Sequence, residues 1–228
     1  MSILFVLSSA PNTLKGRPTG WFLSEAAHPY YILSPHFTID FAAPGGPNPP
    51  LDPYSIEFSK DDEESKRFLN DDPAVKSLLE NAKPLSTVNF SDYLAIFYVG
   101  GHGPVIDLAI DEVNIELANK FYRAGKVVGA VCHGPAALVG VTGEDGKSIF
   151  DGKVVTGFSN DEEKELGLEK DVPFLLEDRI KSLGGTYEKA DKLFSAKIAH
   201  SGNLFTGQNP GSARPLAEEI LKTLQGKA

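Results

Sequence analysis

Short apolar runs alternate with amphipathic stretches along this chain. Residues 3–7, 37–43, 93–99 and 127–131 are runs rich in β-branched and aromatic residues, bounded by glycine, proline or polar clusters. Apolar runs of that length with little polar alternation predict strands buried on both faces. Between them, residues 21–28 predict a helix that starts near Thr19-Gly20 and is bent or ended by Pro29. Residues 56–81 are charged and periodic and predict two short helices over one edge. Residues 111–124 predict an amphipathic helix with an acidic first turn and Gly125 at its end. Further on, residues 152–158 read as a strand, 159–165 as an acidic helix start, and 172–183 as a helix closed by Gly184-Gly185. Residues 197–206 read as a hairpin around Ser201-Gly202-Asn203, and Asn209-Pro210-Gly211-Ser212 opens a last helix to Gln225. The proline- and glycine-rich stretch 44–53 is a surface loop. Strand and helix in alternation predict an α/β fold: a mostly parallel sheet with helices on both faces. At this length one domain over residues 1–228 is expected. Such sheets bind ligands beyond the carboxyl ends of their strands.

Composition and charge narrow the function. A formal net charge of −9, with no Lys/Arg cluster to offset it, argues against a nucleic-acid partner. No apolar stretch approaches the ~20 residues of a membrane helix, and the N-terminal run is too short and unflanked for a signal peptide. The single cysteine cannot form an internal disulfide, which fits a reducing compartment, the cytoplasm or also the nucleus. No Gly-x-Gly-x-x-Gly follows the first strand and no Gly-Lys-Ser/Thr loop occurs, so nucleotides lose support. His28, His36, His102, His133 and His200 are too scattered for a metal-ligand spacing, and no metal is expected.

The chemistry is expected at Cys132. It follows an apolar strand and precedes His133-Gly134-Pro135 and an alanine-rich segment. That pattern places the sulfur on a sharp strand-to-helix turn, the geometry of a nucleophile elbow. A helix N-terminus lowers a thiol pKa, so a reactive thiolate is expected there. An isolated cysteine is more often a small buried hydrophobe; the flanking histidine, turn and strand favour the nucleophile. A second loop, Gly100-Gly101-His102-Gly103, follows another strand and lies on the same rim. Its glycines let the backbone approach an anion or a developing oxyanion. Glu25 falls inside an apolar helical stripe with Phe22, Ala26 and Pro29. A carboxylate is expensive to bury ionised, so Glu25 is expected to be protonated in part or paired.

Together, residues 130–136 (Ala-Val-Cys-His-Gly-Pro-Ala), 100–103 (Gly-Gly-His-Gly), 25–29 (Glu-Ala-Ala-His-Pro) and 206–210 (Thr-Gly-Gln-Asn-Pro) resemble the ThiJ/PfpI superfamily, within it the fungal heat-shock-protein-31-type glyoxalase III branch. The resemblance implies a flavodoxin-like three-layer sandwich, akin to class I glutamine amidotransferases. It implies glutathione-independent conversion of methylglyoxal, or glyoxal, to the hydroxy acid, D-lactate for methylglyoxal. That activity is classified as a lyase, D-lactate dehydratase, with no cofactor, and homodimers are common. Carried over, the nucleophile is Cys132, its histidine His133 and the carboxylate near the first helix Glu25. The third triad member falls within 159–163, where spacing favours Glu163 and Glu162 is the neighbouring alternative. Backbone N–H groups of Gly101 and His133 would face the oxyanion, and His102 would line the pocket or merely satisfy a loop carbonyl. Other readings of the same residues are a cysteine peptidase or deglycase, or a stress-induced holdase chaperone or redox sensor. Amidotransferase chemistry is disfavoured because the downstream His200 is followed by Ser201-Gly202 rather than by an acid.

Overall fold

The computed structural model describes residues 2–226. In chain order, β1 (Ser2–Val6) leads through a long loop to α1 (Leu23–Leu33), then β2 (Thr38–Ala43), α2 (Pro53–Phe58), α3 (Glu63–Asn70), α4 (Pro73–Glu80) and β3 (Lys83–Pro84). The second half runs β4 (Tyr93–Tyr98), the single turn α5 (Gly103–Ile106), α6 (Glu112–Arg123), β5 (Val127–Val131), β6 (Val154–Val155), α7 (Asn160–Leu166) and α8 (Leu176–Ser182). It closes with β7 (Thr186–Tyr187), β8 (Ile198–Ser201), β9 (Leu204–Gly207) and α9 (Ala213–Gly226). The main sheet has seven strands in the order β3-β2-β1-β4-β5-β9-β8. All pairs are parallel except the β8–β9 hairpin. The expected α/β sandwich is therefore the fold observed.

Each apolar run feeds two cores at once. Along β1, Ile3 and Phe5 pack on the face covered by α1 and α9, whereas Leu4 and Val6 pack on the face covered by α6. Phe5 stacks between Phe41 of β2 and Phe97 of β4, at 5.8 and 5.0 Å between ring centroids. A one-residue slip of β1 would exchange these two sets, so both cores fix the same register. The chain leaves β1 towards β2 on one side and returns as β4 on the other. Strand order thus reverses between β1 and β4, and a crevice opens beyond their carboxyl ends. The loops after β4 and β5 lie on that rim.

Several expected boundaries shift for physical reasons. Residues 56–81 hold parts of three helices, because Asp52, Asp62 and Asp72 each cap a new start, two of them followed by proline. Helix α1 begins at Leu23 rather than near Thr19. The preceding backbone is drawn into the β4 loop, with the Phe22 N–H donating to the Gly100 carbonyl at 3.0 Å. Pro29 does not end α1, which continues to Leu33. The alanine-rich segment after Cys132 forms only a short 3-10 turn, Gly134–Leu138. Of residues 152–158 only Val154 and Val155 form a strand, paired with β7 in a separate two-stranded sheet. The rest braces neighbouring segments: Thr156 N–H bonds the Thr206 hydroxyl, and Phe158 N–H bonds the Cys132 carbonyl. The helix expected over 172–183 starts at Leu176. No helix among the described residues is long and apolar enough to cross a membrane.

Candidate active site

Cys132 follows β5 directly and sits in the left-handed region, with φ at 60°. For a residue with a Cβ this conformation costs roughly 1–2 kcal/mol. Two backbone bonds hold it there: Cys132 N–H to the Gly207 carbonyl and Phe158 N–H to the Cys132 carbonyl, both 2.9 Å. The elbow expected from sequence is present, but its stiffness comes from β9 and residue 158 rather than from a following α-helix.

Two glycines bring the β4 loop against it. A methyl group on Gly100 would overlap a Glu25 carboxyl oxygen, the Val131 carbonyl and the Cys132 Cβ. Gly101, at φ 92°, turns its N–H towards the Cys132 sulfur, where it favours the thiolate. Gly100 therefore allows Glu25 and Cys132 to meet, and Gly101 supplies a donor at the sulfur.

Glu25, in the first turn of α1, is fully buried. Neither carboxyl oxygen has a well-aligned hydrogen-bond partner, although the Cys132 thiol and the Gly100 N–H face them. Burial pushes its pKa up to about 8, against the smaller pull of those two neighbours. Glu25 is thus a neutral carboxylic acid at neutral pH. Burial also pushes the Cys132 thiol well above its usual value, against the pull of the Gly101 N–H. Burial thus opposes the thiolate expected from the turn. A helix N-terminus is a weak influence here, because the segment is a short 3-10 turn and the sulfur sits beside a buried acid.

On the other side of the sulfur lie two imidazoles on one carboxylate. His133 Nδ1 is 3.7 Å from Cys132 Sγ, and its Nε2 is 2.7 Å from Glu163 Oε2. His102 Nε2 is 2.8 Å from the other oxygen, Oε1. The two rings lie 4.3 Å apart. Burial opposes the charge on Glu163, but His133 and His102 outweigh it and hold the carboxyl far below the usual range. Burial and His102 lower the His133 pKa. The resting state is an ionised Glu163 accepting an N–H from a neutral His133. His102, His133 and Glu163 each offer a ligand atom within 4.8 Å of the others, a grouping that could accept a metal ion. In the structure those Nε2 atoms and both carboxylate oxygens are engaged with one another.

The choice between Glu162 and Glu163 follows from the fold of α7. Glu162 accepts from the Ser159 N–H and hydroxyl through Oε2, and from Phe194 N–H and Asn209 Nδ2 through Oε1. These bonds tie the start of α7 to the segments carrying Phe194 and Asn209. Glu163, one residue on, faces the imidazoles.

A pocket of about 160 Å³ is lined in part by Gly101, His102 and Cys132. An engineered apolar cavity of ~150 Å³ admits benzene, so this pocket suits a molecule of a few heavy atoms. The rest of its lining is mostly apolar, including Phe22, Phe58, Phe158 and Phe194, with Arg17 and Asp52 beside them. Sequence reading missed all of these wall residues, which come from four separate segments with no shared local signal.

The fold and this elbow are those of a known class. The DJ-1/PfpI family profile matches residues 79–223, and the chain belongs to the DJ-1/PfpI family. A glutathione-independent glyoxalase of Saccharomyces cerevisiae is 31% identical over 218 residues, 92% of this chain and 91% of that protein. The crystal structure of glyoxalase III from Candida albicans matches with a TM-score of 0.86 and 26% identity, over 97% and 96% of the two chains. The 24-kDa rapid encystment protein of Francisella tularensis matches with a TM-score of 0.91 and 36% identity, over 98% of each chain; its name states no reaction.

Proposed function

We propose that this protein is a cofactor-independent glyoxalase of the lyase class, converting methylglyoxal and related small 2-oxoaldehydes to 2-hydroxy acids, D-lactate in the case of methylglyoxal, without glutathione. The observation that carries this reading is the uncharged Glu25 beside Cys132, on an elbow opening into a small apolar pocket. An aldehyde is activated by a proton donor at its oxygen and a nucleophile at its carbon, and this pair supplies both. Neutral His133 takes the thiol proton on Nδ1 as the sulfur attacks C1, and Glu163 stabilises the imidazolium. Glu25 delivers its proton to the aldehyde oxygen, while the N–H groups of Gly101 and His133 stabilise charge on the hemithioacetal. Transfer of hydrogen from C1 to C2 through an enediol gives a thioester, which water hydrolyses to the hydroxy acid and free thiol. The small volume of the pocket disfavours an extended peptide and hence the peptidase reading. The test is a glutathione-free assay for lactate from methylglyoxal. Wild type forms lactate and Cys132→Ala forms none; full turnover by Cys132→Ala would refute the covalent route.

A further inference from the structure

The transfer between C1 and C2 needs an unprotonated base that meets the substrate; Glu25 starts with its proton and serves the C1 oxygen. His133 and Glu163 are not part of the pocket lining, whereas His102 lines the pocket together with Cys132. The His102 side chain is 11% exposed and that of His133 1%. Glu163 Oε1 takes the His102 Nε2–H, which fixes the tautomer and leaves a lone pair on Nδ1. That Nδ1 has no protein hydrogen-bond partner among the described residues. His133 is held by its Nε2 in the same way, on Oε2 of the same carboxylate, but its Nδ1 is at the sulfur.

We infer that His102 is the catalytic base that removes the C1 proton of the Cys132-bound substrate and returns it to C2, while His133 serves the thiol. This assignment rests on the glyoxalase reading. Once the S–C1 bond has formed, His102 Nδ1 takes the C1 proton. The C1–H pair becomes the C1=C2 bond, and the C2 carbonyl pair moves onto its oxygen, which is protonated to the enediol. The C1 hydroxyl then loses its proton as C1=O forms, the C1=C2 pair takes the proton from His102 at C2, and the thioester results. Water adds to C1, the C1–S bond breaks, and the thiol regains a proton. The sum is 2-oxoaldehyde plus water giving 2-hydroxy acid, with no external oxidant or reductant. The shared Glu163 holds both imidazoles in the Nε2–H form, so one carboxylate prepares two separate bases.

The experiment compares wild type, His102→Gln, His102→Asn and His133→Gln in two assays: lactate from methylglyoxal, and alkylation of Cys132 by iodoacetamide. Intact mass spectrometry after methylglyoxal addition reads any adduct on Cys132. Removal of a general base lowers turnover by roughly 10²–10⁴-fold. Both His102 variants are expected to lose lactate formation on that scale, to alkylate near the wild-type rate, and to accumulate the Cys132 adduct. His133→Gln is expected to slow alkylation as well. Wild-type turnover by either His102 variant would overturn the assignment. So would equal losses of alkylation and turnover in both, which would mark His102 as a prop for the triad. Absence of lactate from wild type itself would sink the glyoxalase reading and this assignment with it.

Discussion

Cys132 has a glutamate on either side, and the two behave in opposite ways. Glu25, on α1, is 0% exposed and Glu163, on α7, is 2% exposed, so burial does not separate them. What separates them is the company each keeps. Glu25 has no cation and no well-aligned donor, and it keeps its proton up to about 8. Glu163 accepts N–H bonds from His102 and His133 on its two oxygens and stays ionised far into the acid range. Desolvation sets the starting penalty for both; hydrogen-bond donors decide which one carries charge. The same side chain thereby gives a neutral acid on one side of the sulfur and an anion behind two imidazoles on the other.

Replacing one glutamate at a time breaks this contrast unequally. The larger effect is expected from Glu163→Gln, whose amide can accept from one imidazole but presents an N–H to the other. Loss of the orienting carboxylate in a comparable triad lowers kcat by about 10⁴-fold, and a fall of that order in lactate formation is expected here. Glu25→Gln preserves the neutral shape and removes only the transferable proton. A kcat loss near ~10²-fold is expected, the lower end for a general acid, with the fold intact by circular dichroism. Steady-state kinetics on the two variants check both the order and the gap. A Glu25→Gln loss as great as that of Glu163→Gln would contradict the division of roles.

Stability against pH sharpens the same contrast. In the unfolded chain Glu25 loses its proton near 4.5, and in the folded protein near about 8. Between those values the folded state binds the extra proton, so stability falls as pH rises, by up to about 1.4 kcal/mol per pH unit. Glu163 has the reverse sign: its lowered pKa contributes stability above about 4.5 that is lost on acidification. Denaturant midpoints across pH should therefore show Glu25→Gln gaining on wild type from pH 5 to 8. Parallel curves for the two proteins would show that Glu25 ionises freely in the fold.

Much of this was legible in the sequence, for reasons that can be named. Strands buried on both faces leave unbroken apolar runs, so β1, β2, β4 and β5 are visible as such. Glu25 stood out because a carboxylate in an apolar stripe has no ordinary reason to be there. The Glu162/Glu163 ambiguity had a local solution, since Ser159-x-x-Glu162 is a capping box that assigns Glu162 to the helix start and frees Glu163. The charge of Cys132 was misjudged because the expectation weighed the following turn and not the acid that α1 brings from more than 100 residues away. The phenylalanine walls were invisible because residues 22, 58, 158 and 194 meet only after the sheet has formed. Three helices replaced two over 56–81 because the Asp caps divide a charge pattern that periodicity alone reads as continuous.

The central claim is that Glu25 is a neutral acid beside a neutral thiol in the resting enzyme. Infrared difference spectra between wild type and Glu25→Gln, recorded from pH 6 to 9, test it directly through the carbonyl stretch of a protonated carboxyl group. The account predicts that band at pH 6 and 7, its loss as pH passes about 8, and no thiolate absorbance from Cys132 at neutral pH. A carboxylate signal already present at pH 6, with thiolate absorbance beside it, would contradict it.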